Sequence, residues 1–187
     1  LAGGVTTIMV TPGSANCIAG QCALFKTRVR PIVEEMLVKR QAGLKIAFGE
    51  NPRRVHGGQK KMPVTRMAIA SLIRETLLKG QHYLAEKKSN NYKKDYALEA
   101  IGRVLTGQMP LRAHAHRADD IMTALRIARE FCADIIIEHA TEGHLLSDYL
   151  LKNNVKVVLG PLMITRAKLE LKERLWSTPA ILAQKGV

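Results

Sequence analysis

Aromatic residues make up only 4% of this chain, and it holds three cysteines in 187 residues. No uninterrupted apolar run reaches the roughly eighteen residues of a transmembrane helix, so no membrane partner is expected. The opening stretch LAGGVTTIMVTPG is apolar but has no basic segment before it; its threonine-rich, glycine-bounded form suits a strand better than a secretory leader. An odd number of cysteines without such a leader points to reduced thiols and a cytoplasmic location. Cys17 and Cys22 lack the second Cys/His pair that a zinc ribbon needs. No GxGxxG string follows the first strand-like run and no P-loop lysine motif is present, which removes support for dinucleotide or nucleoside-triphosphate sites. Gly3 and Gly4 precede a strand, the wrong side for cradling a phosphate.

Negative charge is also scarce: 16 acidic residues face 29 basic ones, a formal charge of +13. That excess invites a polyanion-binding reading. The basic residues are spread over Lys26 to Arg40, Arg53 to Lys61, Lys87 to Lys94 and Arg166 to Arg174, with no interleaved aromatic platform and no zinc finger. Lysine pairs at 60–61, 87–88 and 93–94 read as solvated surface. Nucleic acid is therefore not the expected partner, and a basic polyanion- or nucleic-acid-binding module stands as the alternative reading. The length suffices for one domain with a full core, yet falls below the about 250 residues typical of a complete eight-stranded β/α barrel. Beginning at Leu1 inside a structured segment and ending at AQKGV, residues 1–187 are expected to be a single region of a longer chain, a processed mature domain being the other possibility.

What is present is an alternation of short apolar runs with longer segments of helical spacing. Strands are expected at Gly4 to Val10, Gly43 to Phe48, PLRAHAH, ADIIIEH and VKVVLGP, with a possible sixth near Val29 to Val33. Helices are expected over Ala19 to Gln41 (interrupted by Pro31), Pro63 to Lys88 with Thr65 as N-cap and Met67, Leu72 and Leu77 as core face, and Tyr92 to Thr106 after a break at Asn90 and Asn91. Further helices are expected over Ala118 to Cys132, Glu142 to Lys152, and Arg166 to Gln184 apart from Ser177, Thr178 and Pro179. Asp119 and Asp120 favour the start of their helix. Asn51 to Met62, with its proline, paired glycines and charges, reads as a loop. Apolar, unalternating strands separated by helices are the pattern of a parallel sheet covered on both faces, either doubly wound or a partial barrel.

Three strand ends gather polar groups: Glu50 after KIAFG, His114 and His116 at the end of PLRAH, and Glu138 and His139 at the end of IIIEH, with His144 in the following loop. In parallel β/α folds chemistry sits outside the carboxyl ends of strands. His114 and His116 alternate along a strand and share a face; one strand–helix–strand step separates His114 from His139. Imidazoles with a carboxylate suit a divalent metal such as Zn2+, which activates water and polarises a carbonyl. Against this stand plainer readings: a hydrogen-bonded structural histidine, a turn-capping Glu50 before Asn51 and Pro52, solvated His56 and His82, and an ion pair for Glu138, which alternation puts on the face opposite His139.

The ordered strings GGVTTIMVTPGSAN, GLKIAFGENP, LRAHAHRADDI, IIIEHATEGH and VKVVLGP resemble the amidohydrolase superfamily, in particular its imidazolonepropionase-like branch, over nearly the whole chain. The resemblance implies an α/β fold: a partial TIM-like barrel of parallel strands lacking the first and last. It implies hydrolysis of amide or cyclic amide C–N bonds in a small-molecule substrate by a metal-activated water. His114 and His139 would be metal ligands of the fifth and sixth strands and Glu50 that of the fourth, Lys45 lying too early on its strand. His116 and His144 would contact substrate. The family's first-strand HxH pair and eighth-strand aspartate, the general base, have no counterpart in the sequence, so part of the site would lie outside it. A catalytically dead scaffold is a further possibility. Open sheet edges predict self-association or a homo-oligomer.

Overall fold

The computed structural model describes residues 3–89, 92–163 and 167–187. Six strands follow chain order across one open, curled sheet, half of a barrel: β1 (Thr7–Val10), β2 (Ile18–Lys26), β3 (Leu37–Ala47), β4 (Leu111–Ala115), β5 (Ile135–His139) and β6 (Lys156–Leu159). β3 to β6 run parallel, with Ala47 beside His114, His114 beside Glu138, and Ala115 and Leu159 flanking His139. The expectation of parallel strands throughout is corrected at the other end, where β1, β2 and β3 pair antiparallel.

That hairpin also overturns the helix expected over Ala19 to Gln41. Its Ala, Leu and Gln residues carry helical spacing, but each weak local preference is outweighed by ladder pairing along β2 and β3. Only Val33–Met36 keeps a single 3-10 turn, and the segment around Val29 to Val33 is not a strand. The loop expected over Asn51 to Met62 is instead opened by a helix, α1 (Glu50–Gly58). Pro52 sits in its first turn, where the missing N–H is not needed, and Glu50 lies at the favourable acidic end.

Helix α2 (Arg66–Lys88) is capped as expected, with the Ala68 N–H donating to Thr65 Oγ1 at 3.1 Å. Its buried face is Ile69, Ile73, Leu77, Gly80 and Tyr83; Met67, expected in the core, is 75% exposed. The expected break at Asn90 and Asn91 lies outside the described residues. Helix α3 (Tyr96–Leu105) starts at Asp95, whose carboxylate accepts from the Ala97 and Leu98 N–H groups. It packs antiparallel on α2 at Gly80 and Gly102, where an added Cβ would meet Ile101 and Leu84. Helix α4 (Ala118–Glu130) follows β4, and a 3-10 turn leads into α5 (Ser147–Lys152).

The helix expected from Arg166 to Gln184 starts on a residue outside the described set. What is seen is a 3-10 turn at Leu169–Leu171 and a helix, α6 (Thr178–Lys185), that begins within the Ser177–Thr178–Pro179 stretch expected to interrupt it. Pro179 occupies a first-turn position, which its fixed φ suits.

In a parallel sheet, residues in register point to the same side. Leu44, Ile46, Phe48, Leu111, Ala113, Ala115 and Ile137 accordingly face the helices and form one core with Ile69, Ile73, Leu77, Val104, Ile121 and Ile127. The other side carries Lys45, Arg112, His114 and Glu138. This side is the concave one of a half-barrel and it is polar. Arg112 and Glu138 form an ion pair across β4 and β5, Nε to Oε1 at 2.5 Å with both side chains about nine-tenths buried. The structural role expected for Glu138 is therefore present, on the His114 side of the sheet.

Candidate metal centre

Strict alternation would send the His139 ring to the helix side, with Ala115. The backbone departs from it there: His139 has φ 74° and Ala140 φ 42°, both in the left-handed region. Such conformations cost on the order of 1 kcal/mol or more at a non-glycine residue and cluster at functional sites. The turn brings the His139 ring over the concave side. Its centroid lies 4.5 Å from that of His114 and 4.6 Å from that of His116, with His114 and His116 4.7 Å apart. One ring nitrogen from each of the three lies within 4.8 Å of the others.

Each ring is held by a separate partner. His139 Nδ1 donates to the Gly160 carbonyl at 2.5 Å, which fixes its tautomer and leaves the Nε2 lone pair free. His116 Nδ1 pairs with Thr141 Oγ1 at 2.7 Å. His114 Nε2 lies 3.2 Å from Asn51 Nδ2, itself 2.6 Å from Ser14 Oγ. Burial holds all three rings neutral: it lowers His116 to about 3 and depresses His114 and His139 as well, with Lys45 and Lys168 adding like-charge repulsion. Neutral imidazoles with shared, convergent nitrogens are what a divalent cation binds. The donor set therefore fits a metal, with outer partners that orient two of its rings.

Glu170 was not singled out in the sequence. Its carboxylate is 1% exposed; Oε1 lies 3.7 Å from His116 Nε2 and 4.0 Å from His114 Nε2, and Oε2 accepts the Glu50 N–H at 2.9 Å. Burial raises its pKa, partly offset by that N–H and by Lys168 at 3.5 Å. An added Cβ at Gly49 (φ 79°) would stand 2.6 Å from Glu170 Oε2 and 3.0 Å from Asp120 Oδ2, so only glycine lets both carboxylates close on the start of α1. LELKE reads locally as one more charged helix face, and no local signal marks Glu170 as buried.

The residues expected at the site divide clearly. His114 and His139 converge, and His116 joins them as a potential ligand rather than only a substrate contact. Glu50 opens α1 and is not in the trio; its side chain lines a neighbouring cleft with Glu170. His144 is also outside the trio, its Nδ1 3.1 Å from Thr178 Oγ1 on α6. Lys45, judged too early on its strand, lies buried on the concave side, where desolvation lowers its pKa and its charge reaches all three rings.

No protein-family model matches the chain. A crystal structure of an amidohydrolase from Thermotoga maritima MSB8 superimposes with a TM-score of 0.97 and 46% identity, over 99% of this chain and 50% of that one. The chain is similar in sequence and fold to this amidohydrolase. Amidohydrolase tasK from Hapsidospora irregularis is 30% identical over 173 residues, covering 79% of this chain and 18% of that protein. The chain thus spans about half the length of the first relative and about a fifth of the second. No helix among its described residues is long and apolar enough to cross a membrane.

Proposed function

We propose that this chain is part of a metal-dependent hydrolase of amide or cyclic amide C–N bonds, in the imidazolonepropionase-like branch of the amidohydrolases. The observation that carries the reading is the convergence of three neutral histidines, His114 and His116 buried and His139 half-buried, at the C-terminal ends of adjacent parallel strands. These three would hold the metal, with Glu50 as a further carboxylate ligand, and Zn2+ is the ion that suits imidazole and carboxylate donors. When bound, such an ion activates water and polarises a substrate carbonyl. The chain's own contribution is to hold the rings neutral and oriented through Gly160 and Thr141, with His144 at the substrate side. The general-base aspartate is not among these residues, so weak metal binding with little turnover is expected of this chain alone. Calorimetric titration with Zn2+, followed by a panel of amides, tests the reading: no metal binding, or binding unaffected by His139→Ala, would overturn it. Three free cysteines support a reducing compartment, the cytoplasm.

A second reading, polyanion binding, gains from one arrangement of cations and aromatic rings. Lys87 Nζ lies 5.7 Å from the Tyr92 ring centroid and Lys94 Nζ 4.9 Å from that of Tyr96, and both pairs line a cleft of about 370 Å³ with Arg103. Aromatic rings among cations can stack bases of a single strand. Salt-sensitive retention of single-stranded DNA, indifferent to chelator and lost in Tyr96→Ala, would favour this reading.

A further inference from the structure

Val29 is 85% exposed at the tip of the β2–β3 hairpin, between Arg28 and Arg30. Every residue from Arg28 to Glu35 is exposed, so none of the described residues covers this tip. Val5, Ile32, Val33 and Val38 are each about half exposed and belong to the same end of the sheet. Thr27 ties Val5 to the tip, donating its N–H to the Thr6 carbonyl at 3.1 Å and its hydroxyl to the Val5 carbonyl at 2.6 Å. Val38 falls between the Leu24–Lys39 and Phe25–Leu37 pairs, a break in register of the kind that re-aims a side chain. Arg28 closes the turn by donating to the Glu35 carbonyl at 2.5 Å, and Pro31 fixes φ within it. The tip is thus held in shape without being buried. Cations frame its aliphatic side chains: Lys26, Arg28, Arg30, Lys39 and Arg40, against Glu34 and Glu35, the only acids before Glu50. Among the described residues the one ion pair here is Arg30 with Glu35, at 3.8 Å and half exposed on both sides, so most of the positive charge is unopposed.

We propose that the β2–β3 hairpin seats the chain on an anionic lipid surface, its aliphatic side chains entering beneath the headgroups and its cations pairing with phosphate and carboxylate groups. Interfacial segments bind in this way, by apolar area plus attraction to anionic lipid. Lysine and arginine can lay their stems along the apolar layer while their charged heads reach the headgroups. No Phe, Tyr or Trp lies between Lys26 and Arg40, so the tip has no platform for stacking nucleic-acid bases. A second copy would set the same cations against these, and like charges repel. No helix among the described residues is long and apolar enough to cross a membrane, and seating on a surface needs none. The expectation of no membrane partner rests on the lack of a spanning run and does not bear on surface seating. β3 runs from Leu37 near the tip to Ala47 beside His114, about 30 Å at the usual rise of a strand. The histidine trio therefore lies at the far end and stays open.

The test is co-sedimentation of the full chain with vesicles of phosphatidylcholine alone, and of phosphatidylcholine with phosphatidylserine in a three-to-one ratio. At low salt the chain should partition at least about tenfold more strongly onto the anionic vesicles, and the gap should narrow as salt rises. Val29→Ser with Ile32→Ser should weaken partitioning at least about tenfold with the net charge unchanged. Arg28→Gln with Arg30→Gln should weaken it as well. Lys152→Gln with Lys156→Gln, the same loss of charge on α5 and β6, should leave it nearly unchanged. All six side chains are exposed, and circular dichroism checks that the fold is kept. Equal partitioning onto both vesicles, no partitioning, or equal losses in the hairpin and β6-side variants would overturn the proposal. So would serine substitutions that lower the mass seen by light scattering yet leave vesicle binding intact, since a second copy would then be what covers the tip. None of these readouts needs bound metal, so they stand apart from the hydrolase reading.

Discussion

His116 Nε2 stands 3.7 Å from Glu170 Oε1, joining a residue at the end of β4 to one in the turn after β6. The contact places a nearly inaccessible carboxylate against two of the three candidate ligands, and the same carboxylate accepts the first N–H of α1. Outer carboxylates of this kind commonly change metal affinity by about 10- to 100-fold. Glu170→Gln, which keeps an acceptor for the Glu50 N–H, should weaken Zn2+ binding by at least about tenfold in a competition titration with a chromogenic chelator. An unchanged affinity would reduce Glu170 to a structural role.

Beneath the trio, the Arg112–Glu138 pair should contribute to stability through the cost of breaking it. Glu138→Gln leaves a buried guanidinium without its counter-charge, and unfolding in urea should show a loss of about 3–5 kcal/mol. Replacing both residues, with Arg112→Met and Glu138→Leu, should cost clearly less, since an apolar pair of similar volume needs no desolvation of ions. Equal losses in single and double variants would show that the pair is not coupled.

The parallel half of the molecule was legible because the Gly43–Ala47 end of β3 and β4 to β6 are short, largely apolar runs separated by helical segments. Their helices carry caps such as Thr65 and acids such as Asp119. In the antiparallel half β1 was legible, but β2 and the start of β3 were not, because Ala19 to Gln41 satisfies a helical spacing and only the pairing of Cys22 with Gly43 and its neighbours selects a hairpin. At the site, His114 and His139 were readable as strand-end histidines, but alternation alone assigns His139 to the wrong face. The left-handed turn at His139 and Ala140, which corrects it, involves no glycine and leaves no compositional mark. Glu170 was hidden for a different reason: its burial depends on Gly49 and on residues 120 positions away, so no local pattern reveals it.

The three thiols differ in environment. Cys17 is buried, which pushes its pKa up to about 11, and Cys22 is fully buried with its Sγ 3.2 Å from Thr11 Oγ1; Cys132 is exposed. Only thiolates react with alkylating agents at an appreciable rate. At mildly alkaline pH the folded chain should therefore take up one iodoacetamide, at Cys132, and the unfolded chain one at each of its three cysteines, as read by mass spectrometry. Rapid labelling of Cys17 in the folded state would contradict the burial of the β2–β3 hairpin against the core.

Both sheet edges carry apolar side chains in the open: Ile8 is 41% and Val10 52% exposed on β1, and Val158 44% exposed on β6. Unpaired edges of this kind template further pairing. Light scattering across a dilution series should show a mass that rises with concentration, and Val158→Lys on β6 should lower it. A constant monomer mass at high concentration would contradict the expectation.

The most direct measurement is Co2+ binding followed by visible absorption, because imidazole coordination gives bands that adventitious surface binding does not. Saturable absorption is expected in the native chain, with its loss in both His114→Ala and His139→Ala and the fold retained by circular dichroism. Bands that persist in His139→Ala, or no uptake by the native chain, would contradict the assignment of the trio as a metal centre.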